Sequence, residues 1–511
     1  MCAGKVCLSL YLLTAMWLKK GQAFSLVRGK ISVVVLKKGF NSMPAQAGCR
    51  RQSHLLMAVP SEDEGMEIDC YTKNLKKQQQ KKSALYERLG SPKFVAAPMV
   101  QQSDLAFRLL CRKYGTTLAY TQMLHSSHFS TPSNSFFRET NFDGLDPEET
   151  IDRPLIAQFN GNVPETVVKA AKYIEHQVDA IDLNFGCPQQ IARKGNYGAF
   201  LLENEDLCAA LVSALASRPA ASTCPPTVKM RCLPGPDGRP DLERTVAFAQ
   251  RMAAEGAQLL CLHGRTVEQS KTNAGSADWE VIRLVKQEVD IPVIANGGIE
   301  NFDDVQRCLQ ITGADAVMSS EALLENPMLF DPARSSAAAL ATLDGAGWAH
   351  RQLGLALEYL ELVARHPTHY GTFKSHVFKF LYRLFEEQKD LRAKFGDKST
   401  AMFEDMVVII LEMASRYGYH AAFDRELLEN ICSNHKSLNY HQKKYRRQIS
   451  DPYDAVLGSL DSMISRSKEN AKRMPPIAPT SWYRRHRGED TQQQDGGLFG
   501  NRTQIEEEVV V

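Results

Sequence analysis

From residue 93 to about residue 330 the chain repeats one pattern: a short apolar or β-branched run, then a longer segment with apolar residues at helical spacing. The runs are 94–97 (FVAA), 118–121 (LAYT), 154–159 (PLIAQF), 179–184 (DAIDLN), 226–231 (PTVKMR), 258–262 (QLLCL), 291–295 (IPVIA) and 315–318 (DAVM). Helical segments fill most gaps, at 104–113, 164–176, 204–217, 241–255, 277–288 and 302–311. Eight strands alternating with helices over this length match the size and order of an α/β (β/α)8 TIM barrel. The structural competitor is a doubly wound open sheet. No G-x-G-x-x-G follows the first strand, so a dinucleotide-binding open sheet has weak support.

With 511 residues the chain has room for two or three domains, and 43% apolar residues suffice for a sizeable core. The twelve cysteines are scattered and contain no C-x-x-C pair. Zinc ribbons, dithiol redox motifs and ferredoxin clusters are thereby disfavoured. Residues 1–60 hold nine Lys/Arg and no Asp or Glu, with an apolar run at Val6–Leu18. That run is too short for a membrane span and suits a signal segment. The stretch reads as a presequence for an organelle, plastid or mitochondrion. Met57 offers an internal start for a cytoplasmic or nuclear form. Residues 61–90 read as a polar linker and 91–335 as the barrel.

Residues 345–430 carry helical apolar spacing throughout and predict a small all-α domain. Lys374, Lys379 and Arg383 put charge on its middle helix, either a nucleic-acid face or a solvated surface. Residues 431–511 read as a basic, disordered extension, as do the first residues of the chain. Between 436 and 488 twelve Lys/Arg face four Asp/Glu. Aromatics interleave with the cations at Lys443–Arg447 and Trp482–Arg487, a combination suited to loop or single-stranded RNA.

In such a barrel the active site lies where the strands end. The residues falling there are Pro98-Met99-Val100, Gln122, Gln158, Asn184 with Cys187, Lys229 with Arg231, His263 with Arg265, Asn296-Gly297-Gly298 and Ser319-Ser320. Nearly every exit carries a polar or backbone-exposing group. Carboxylates are too few for a magnesium cage, and His263 alone is no zinc site. Flavin mononucleotide fits better. Its phosphate would sit at the last two exits, its ring over the mouth, and Lys229 and His263 near the ring edge. A Schiff-base role for Lys229 is the rival reading.

Ala97-Pro-Met-Val100, Pro154–Phe159, Asp182-Leu-Asn-Phe-Gly-Cys-Pro188, Val228-Lys-Met-Arg231, Leu262-His-Gly-Arg-Thr266 and Ala295-Asn-Gly-Gly298 stand in one order along the chain. Together they resemble the tRNA-dihydrouridine synthase family. The run from Cys187 to Leu201 is most similar to its eukaryotic branch acting on uridines 16 and 17. The resemblance covers roughly 93–335, and the segment to about 430 matches the family's RNA-contacting domain in size and place.

That resemblance implies an FMN-dependent reduction of uridine in the tRNA D-loop, with NADPH or NADH as reductant and a monomeric protein. Hydride would reach C6 of the base, and Cys187 would donate the proton to C5. An ordinary thiol, with a pKa of about 8.5, is mostly protonated at neutral pH and suits a donor. By resemblance Pro98, Met99 and Val100 line the flavin ring, Gln158 and Lys229 bond its pyrimidine edge, and His263 contacts the ring or its phosphate side. Asn296, Gly297, Gly298, Ser320 and Glu321 hold the phosphate. Many relatives carry Gly-Arg where this chain has Ser320-Glu321, so Glu321 is expected to turn away and leave its backbone to bind. Asn184 and Arg265 are candidates for the uracil carbonyls. Arg193, Lys194, Tyr197, Lys374 and Arg383 are candidates for tRNA. Two other readings stay open: a flavin reductase of a small pyrimidine, and an RNA-binding barrel without catalysis.

Overall fold

The computed structural model describes residues 23–27, 30–34, 84–146, 148–219, 224–270, 274–397, 403–437, 452–471 and 475–477. The chain divides into two compact units, Met1–Thr72 and Lys73–Val511. In the first, Ala23–Val27 pairs antiparallel with Lys30–Val34. The rest of the expected presequence lies outside the described residues, as do the clusters at 443–447 and 482–487.

The second unit contains a closed barrel of eight parallel strands: β1 (Phe94–Ala96), β2 (Leu118–His125), β3 (Leu155–Asn160), β4 (Ala180–Phe185), β5 (Pro226–Arg231), β6 (Leu260–His263), β7 (Val293–Asn296) and β8 (Ala316–Ser319). Each strand pairs with the next, and β8 closes on β1 through Val317↔Phe94. All eight runs read from the sequence are strands. The main difference is β2, which extends to His125 and breaks register between Tyr120 and Met123. Gln122 therefore sits inside a bulged strand and not at its exit.

Six helices of the outer layer are α1 (Leu105–Lys113), α2 (Pro164–Ala171), α3 (Glu205–Ala216), α4 (Leu242–Ala254), α5 (Trp279–Glu288) and α6 (Phe302–Thr312). Their starts are fixed locally. Asp104, Asn204, Asp241 and Asp278 each accept a backbone N–H of the first turn, and Asn301 with Asp304 forms a capping box.

Side chains alternate across each strand. Ile181, Leu183 and Phe185 of β4 join the layer between strands and helices, as do Val228 and Met230 of β5. Their neighbours Ala180, Asp182 and Asn184, and Thr227, Lys229 and Arg231, therefore face inward. The lower interior is apolar: Val95, Leu118, Tyr120, Ile156, Ala180, Cys261, Ile294, Ala316 and Met318 form one cluster. Leu85, Tyr86 and Leu89 complete that cluster from the short helix Ala84–Arg88. The Tyr86 hydroxyl donates to the carbonyls of Pro92 (2.6 Å) and Asp315 (2.9 Å). Residues 84–90, expected in the linker, instead close the barrel floor, because three apolar side chains within five positions have somewhere to be buried.

The helical domain contains α7 (Gly345–Arg365), α8 (Tyr370–Phe380), α9 (Phe403–Arg416), α10 (Arg425–Ser437) and α11 (Pro452–Asn470). It shares one continuous core with the barrel's outer layer. At the junction the Tyr114 hydroxyl donates to Glu358 (2.6 Å), and Gln352 Nε2 donates to the carbonyls of Glu325 and Phe380 (both 3.1 Å). The domain runs past the boundary expected at residue 430. Leu460 and Met463 of α11 are buried in that core. Ser415 donates to the Met463 carbonyl (3.0 Å), Arg466 pairs with Glu412 (2.9 Å), and the Tyr417 hydroxyl donates to the Pro476 carbonyl (3.1 Å). Serine and basic residues between its apolar positions hide this helix in the sequence. Among the described residues, no helix is long and apolar enough to cross a membrane.

Candidate active site

Strand register stacks the inward polar residues in rows near the mouth. One row runs Met123, Gln158, Asp182, Thr227. The next holds Asn184 and Lys229, and the last Arg231, His263 and Asn296.

Asp182 is fully buried. It accepts from Thr227 Oγ1 (2.6 Å) and Gln158 Nε2 (2.9 Å). Burial pushes its carboxyl up to about 6, while these hydrogen bonds and the Lys229 charge pull it back. The Gln158 Oε1 accepts from Asn184 Nδ2 (2.9 Å). One N–H of the Gln158 amide therefore remains for a cofactor edge. Asp182 was not singled out in the sequence; its signal was a carboxylate in the middle of an apolar strand run.

Asn184 has a different role from the base contact expected of it. Its Oδ1 accepts the backbone N–H groups of Gly186 (2.8 Å) and Cys187 (3.0 Å). Its Nδ2 is engaged by Gln158 and by Met123 Sδ (2.9 Å). Both ends of the amide are thus committed to shaping the turn that carries the thiol.

Cys187 stands alone among the described cysteines in being partly exposed; Cys111, Cys208, Cys224, Cys232, Cys261 and Cys308 are buried. Burial pushes the thiols of Cys208, Cys261 and Cys308 to about 12 and that of Cys224 to about 11. The Cys187 carbonyl accepts from the Ala199 N–H (3.1 Å). Gly198 lies against the same residue with φ +69°: a Cβ there would stand 2.7 Å from the Cys187 carbonyl oxygen and 2.9 Å from its Cβ. Only glycine fits this position. Arg231 completes the support, donating to the carbonyls of Gly186 (2.9 Å) and Thr266 (2.6 Å). Burial, then neighbouring Arg265, lowers the Arg231 guanidinium to about 10.

Across the mouth, Lys229 Nζ donates to Asn296 Oδ1 (3.0 Å), whose Nδ2 donates to the Met318 carbonyl (3.1 Å). Burial lowers the Lys229 pKa. Gly297 (φ +104°) and Gly298 (φ +79°) follow directly. A Cβ on Gly297 would meet the His263 ring at 2.8 Å, and Trp279 Nε1 donates to the Gly297 carbonyl (3.1 Å). Arg265 NH1 lies 3.1 Å from His263 Nε2. Arg265 Nε donates to the carbonyls of Ala274 (3.0 Å) and Gly275 (3.2 Å), and its NH2 donates to Gly275 (2.8 Å). It braces its own loop and does not present to a base as expected.

Pro98 and Met99 are half-buried and Val100 is 51% exposed at the β1 exit. Ser320 is half-buried, and Glu321 is exposed at the start of the short helix Glu321–Glu325. Arg193 and Lys194 are exposed on the short helix Gln190–Lys194, while Tyr197 is buried with His125 edge-on to it (5.6 Å between centroids). Tyr197 is thus a wall of the cysteine turn and no surface contact. In the helical domain Arg383 lies over Trp348 (4.0 Å), and Lys374 lies over Tyr370 (5.4 Å) and Phe395 (5.3 Å). Both are half-buried by aromatic packing, which leaves them less open to a phosphate than a solvated helix face would.

The residues at the mouth fit a flavin mononucleotide. The half-buried Lys229 ammonium and the second N–H of the Gln158 amide are donors for a ring edge, and a glycine pair without Cβ opens the β7 exit where a phosphate can approach backbone N–H groups.

Residues 95–413 match the family described as "Dihydrouridine synthase (Dus)". The chain belongs to the dihydrouridine synthase family. Among similar members, the "tRNA-dihydrouridine(16/17) synthase [NAD(P)(+)]-like" protein of Mus musculus is 42% identical over 312 residues, 61% of this chain and 60% of that one. The "tRNA-dihydrouridine(16/17) synthase [NAD(P)(+)]" of Saccharomyces cerevisiae is 38% identical over 314 residues, 60% of this chain and 70% of that one. A Homo sapiens "tRNA-dihydrouridine(20a/20b) synthase [NAD(P)+]-like" protein is 29% identical over 324 residues, 63% of this chain and 93% of that one. The chain spans 60% and 65% of the length of its mouse and rat relatives.

Proposed function

We propose that the protein is an oxidoreductase that reduces the C5=C6 bond of a uridine in the tRNA D-loop, at position 16 or 17, using NADPH or NADH and a bound FMN. Family membership supports the reaction, and the names of the mouse and yeast relatives support the position and the reductant. The observation that carries the reading is the setting of Cys187: a partly exposed thiol, fixed by Asn184, Arg231 and Gly198, at the same mouth as Lys229 and the glycine pair.

A bound flavin would supply the hydride for C6. The protein's own part is to place a proton on C5, and Cys187 Sγ is the donor at the rim. Lys229, Gln158 and His263 would hold the cofactor ring, with Asn296, Gly297, Gly298 and the Ser320–Glu321 backbone holding its phosphate. Arg193 and Lys194 are exposed on the short helix that follows the cysteine turn and would meet tRNA phosphates. The target base must leave its stack to reach this mouth, which is easiest for a loop nucleotide. The acid-free first sixty residues favour delivery to an organelle.

The test incubates the full chain with FMN, NADPH and unmodified tRNA, and maps dihydrouridine by position. Product at 16 or 17 is expected, with no turnover of free uracil. Turnover of the free pyrimidine without tRNA product would overturn the assignment in favour of a small-molecule reductase.

A further inference from the structure

The loop after β1 supplies Pro98, Met99 and Val100 to the mouth. It is compact: Met99 N–H donates to Ser103 Oγ (2.8 Å), Ser103 Oγ donates to the Ala97 carbonyl (2.9 Å), and the N–H groups of Gln102 and Ser103 both donate to the Met99 carbonyl (3.1 Å). Gln101 sits at φ +55°, a left-handed conformation that a non-glycine residue keeps only when its surroundings impose it. On the barrel side, Gln122 Oε1 accepts the Gln101 N–H (2.9 Å), and Arg108 donates to the Ser103 carbonyl (2.6 Å).

The other anchor comes from the helical domain. Lys379 on α8 is buried at 7% exposure, and its Nζ donates to Gln102 Oε1 (2.7 Å) and to Ser375 Oγ. Ser375 Oγ itself lies 3.3 Å from the same Gln102 oxygen. One turn nearer the helix start, fully buried His376 contacts Asp104 Oδ1 through Nε2 (2.9 Å), and the Tyr359 hydroxyl of α7 donates to Asp104 Oδ2 (3.1 Å). Burying a lysine is costly, and burial lowers this one to about 8. A lysine set there to bind RNA would point to solvent; this one points at the loop.

We propose that Lys379 is a positioning residue: through Gln102 it fixes the β1 loop in the shape that receives the flavin ring. The helical domain is then a structural part of the catalytic mouth as well as a candidate RNA platform. This rests on the proposed flavin reading and names a residue of that site outside the barrel.

The test compares full-length Lys379→Met and Lys379→Arg with the parent protein. Amide hydrogen exchange at Met99–Ser103 is measured without flavin, and FMN affinity and flavin reduction by NADPH are measured without tRNA. Lys379→Met should speed loop exchange and weaken FMN binding, each by about tenfold, the scale of one lost charge-assisted hydrogen bond. Lys379→Arg should stay within about threefold of the parent. A change in tRNA affinity with loop exchange and FMN affinity unaltered overturns the proposal. Should Lys379→Met fail to fold, Gln102→Ala removes the same contact from the barrel side. Faster exchange and weaker FMN binding there support the anchor, and parental values overturn it. A parent protein that binds no FMN at all refutes the flavin reading, while loop exchange still decides whether Lys379 holds the loop.

Discussion

The lower and upper halves of the barrel interior are built from the same strands and differ completely in chemistry. Below, Val95, Tyr120, Ile156, Ala180 and Ile294 pack with Leu85, Tyr86 and Leu89 of the floor helix. Above, the next inward positions are Gln158, Asp182, Asn184, Lys229 and Asn296. A single strand such as β3 thus gives Ile156 to stability and Gln158, two residues on, to the site. The alternation of strand side chains allows this, because moving two residues changes height without changing face. Damage to stability and damage to chemistry should therefore be separable along one strand.

The largest separation is expected at Cys187. Cys187→Ala should keep its thermal stability and its flavin while turnover falls about 10²–10⁴-fold, the range of a lost general acid. Single-turnover kinetics beside a melting curve will tell; undiminished turnover would remove the proposed donor. Ile156→Ala should do the opposite. Truncating a fully buried isoleucine costs about 2–5 kcal/mol. Denaturant melts should show that loss, and the folded fraction should turn over near the parent rate. A large rate loss at unchanged stability would erase the division between the halves.

Asp182 sits at the boundary, and its pH dependence sharpens the comparison. Its folded pKa is raised to about 6 from an ordinary 3.8, so the folded state holds a proton that the unfolded state has released. Stability from this group is present below about 4 and lost as pH rises through about 6, by roughly 3 kcal/mol in all. Relative to Asp182→Asn, the parent protein should lose stability between pH 4 and 7 in denaturant titrations; parallel curves would mean that the carboxyl titrates normally. The smallest effect is expected outside the barrel. Replacing Arg193 and Lys194 together by alanine should weaken tRNA binding and make the log–log salt slope shallower by about 0.7 per lost phosphate contact. An unchanged slope would remove both from the RNA path.

The strand exits were legible because each needs only a local pattern, an apolar run followed by a polar or glycine residue, and all eight runs are strands. The glycine pair at 297–298 and the half-exposed thiol at 187 could be located for the same reason. What the polar side chains do there was less legible. Asn184 and Arg265 have suitable donors for a base, but their donors are spent on Gln158, Met123, Ala274 and Gly275. Partners that lie 9 to 61 residues away leave no mark on local sequence. The floor helix Ala84–Arg88 was hidden because one turn shows no period, and α11 because its buried Leu460 and Met463 sit among serines and charges.

Gly198 carries one further meaning. The backbone of residue 187 is wedged between that glycine and the Asn184 amide, so the sulfur can swing about its own Cα–Cβ axis but its peptide cannot advance. In the proposed reaction, delivery would then come from the other side: the nucleotide would have to be carried the whole way to a stationary acid. Selectivity among uridines would accordingly be decided by how the RNA is seated, before any proton moves.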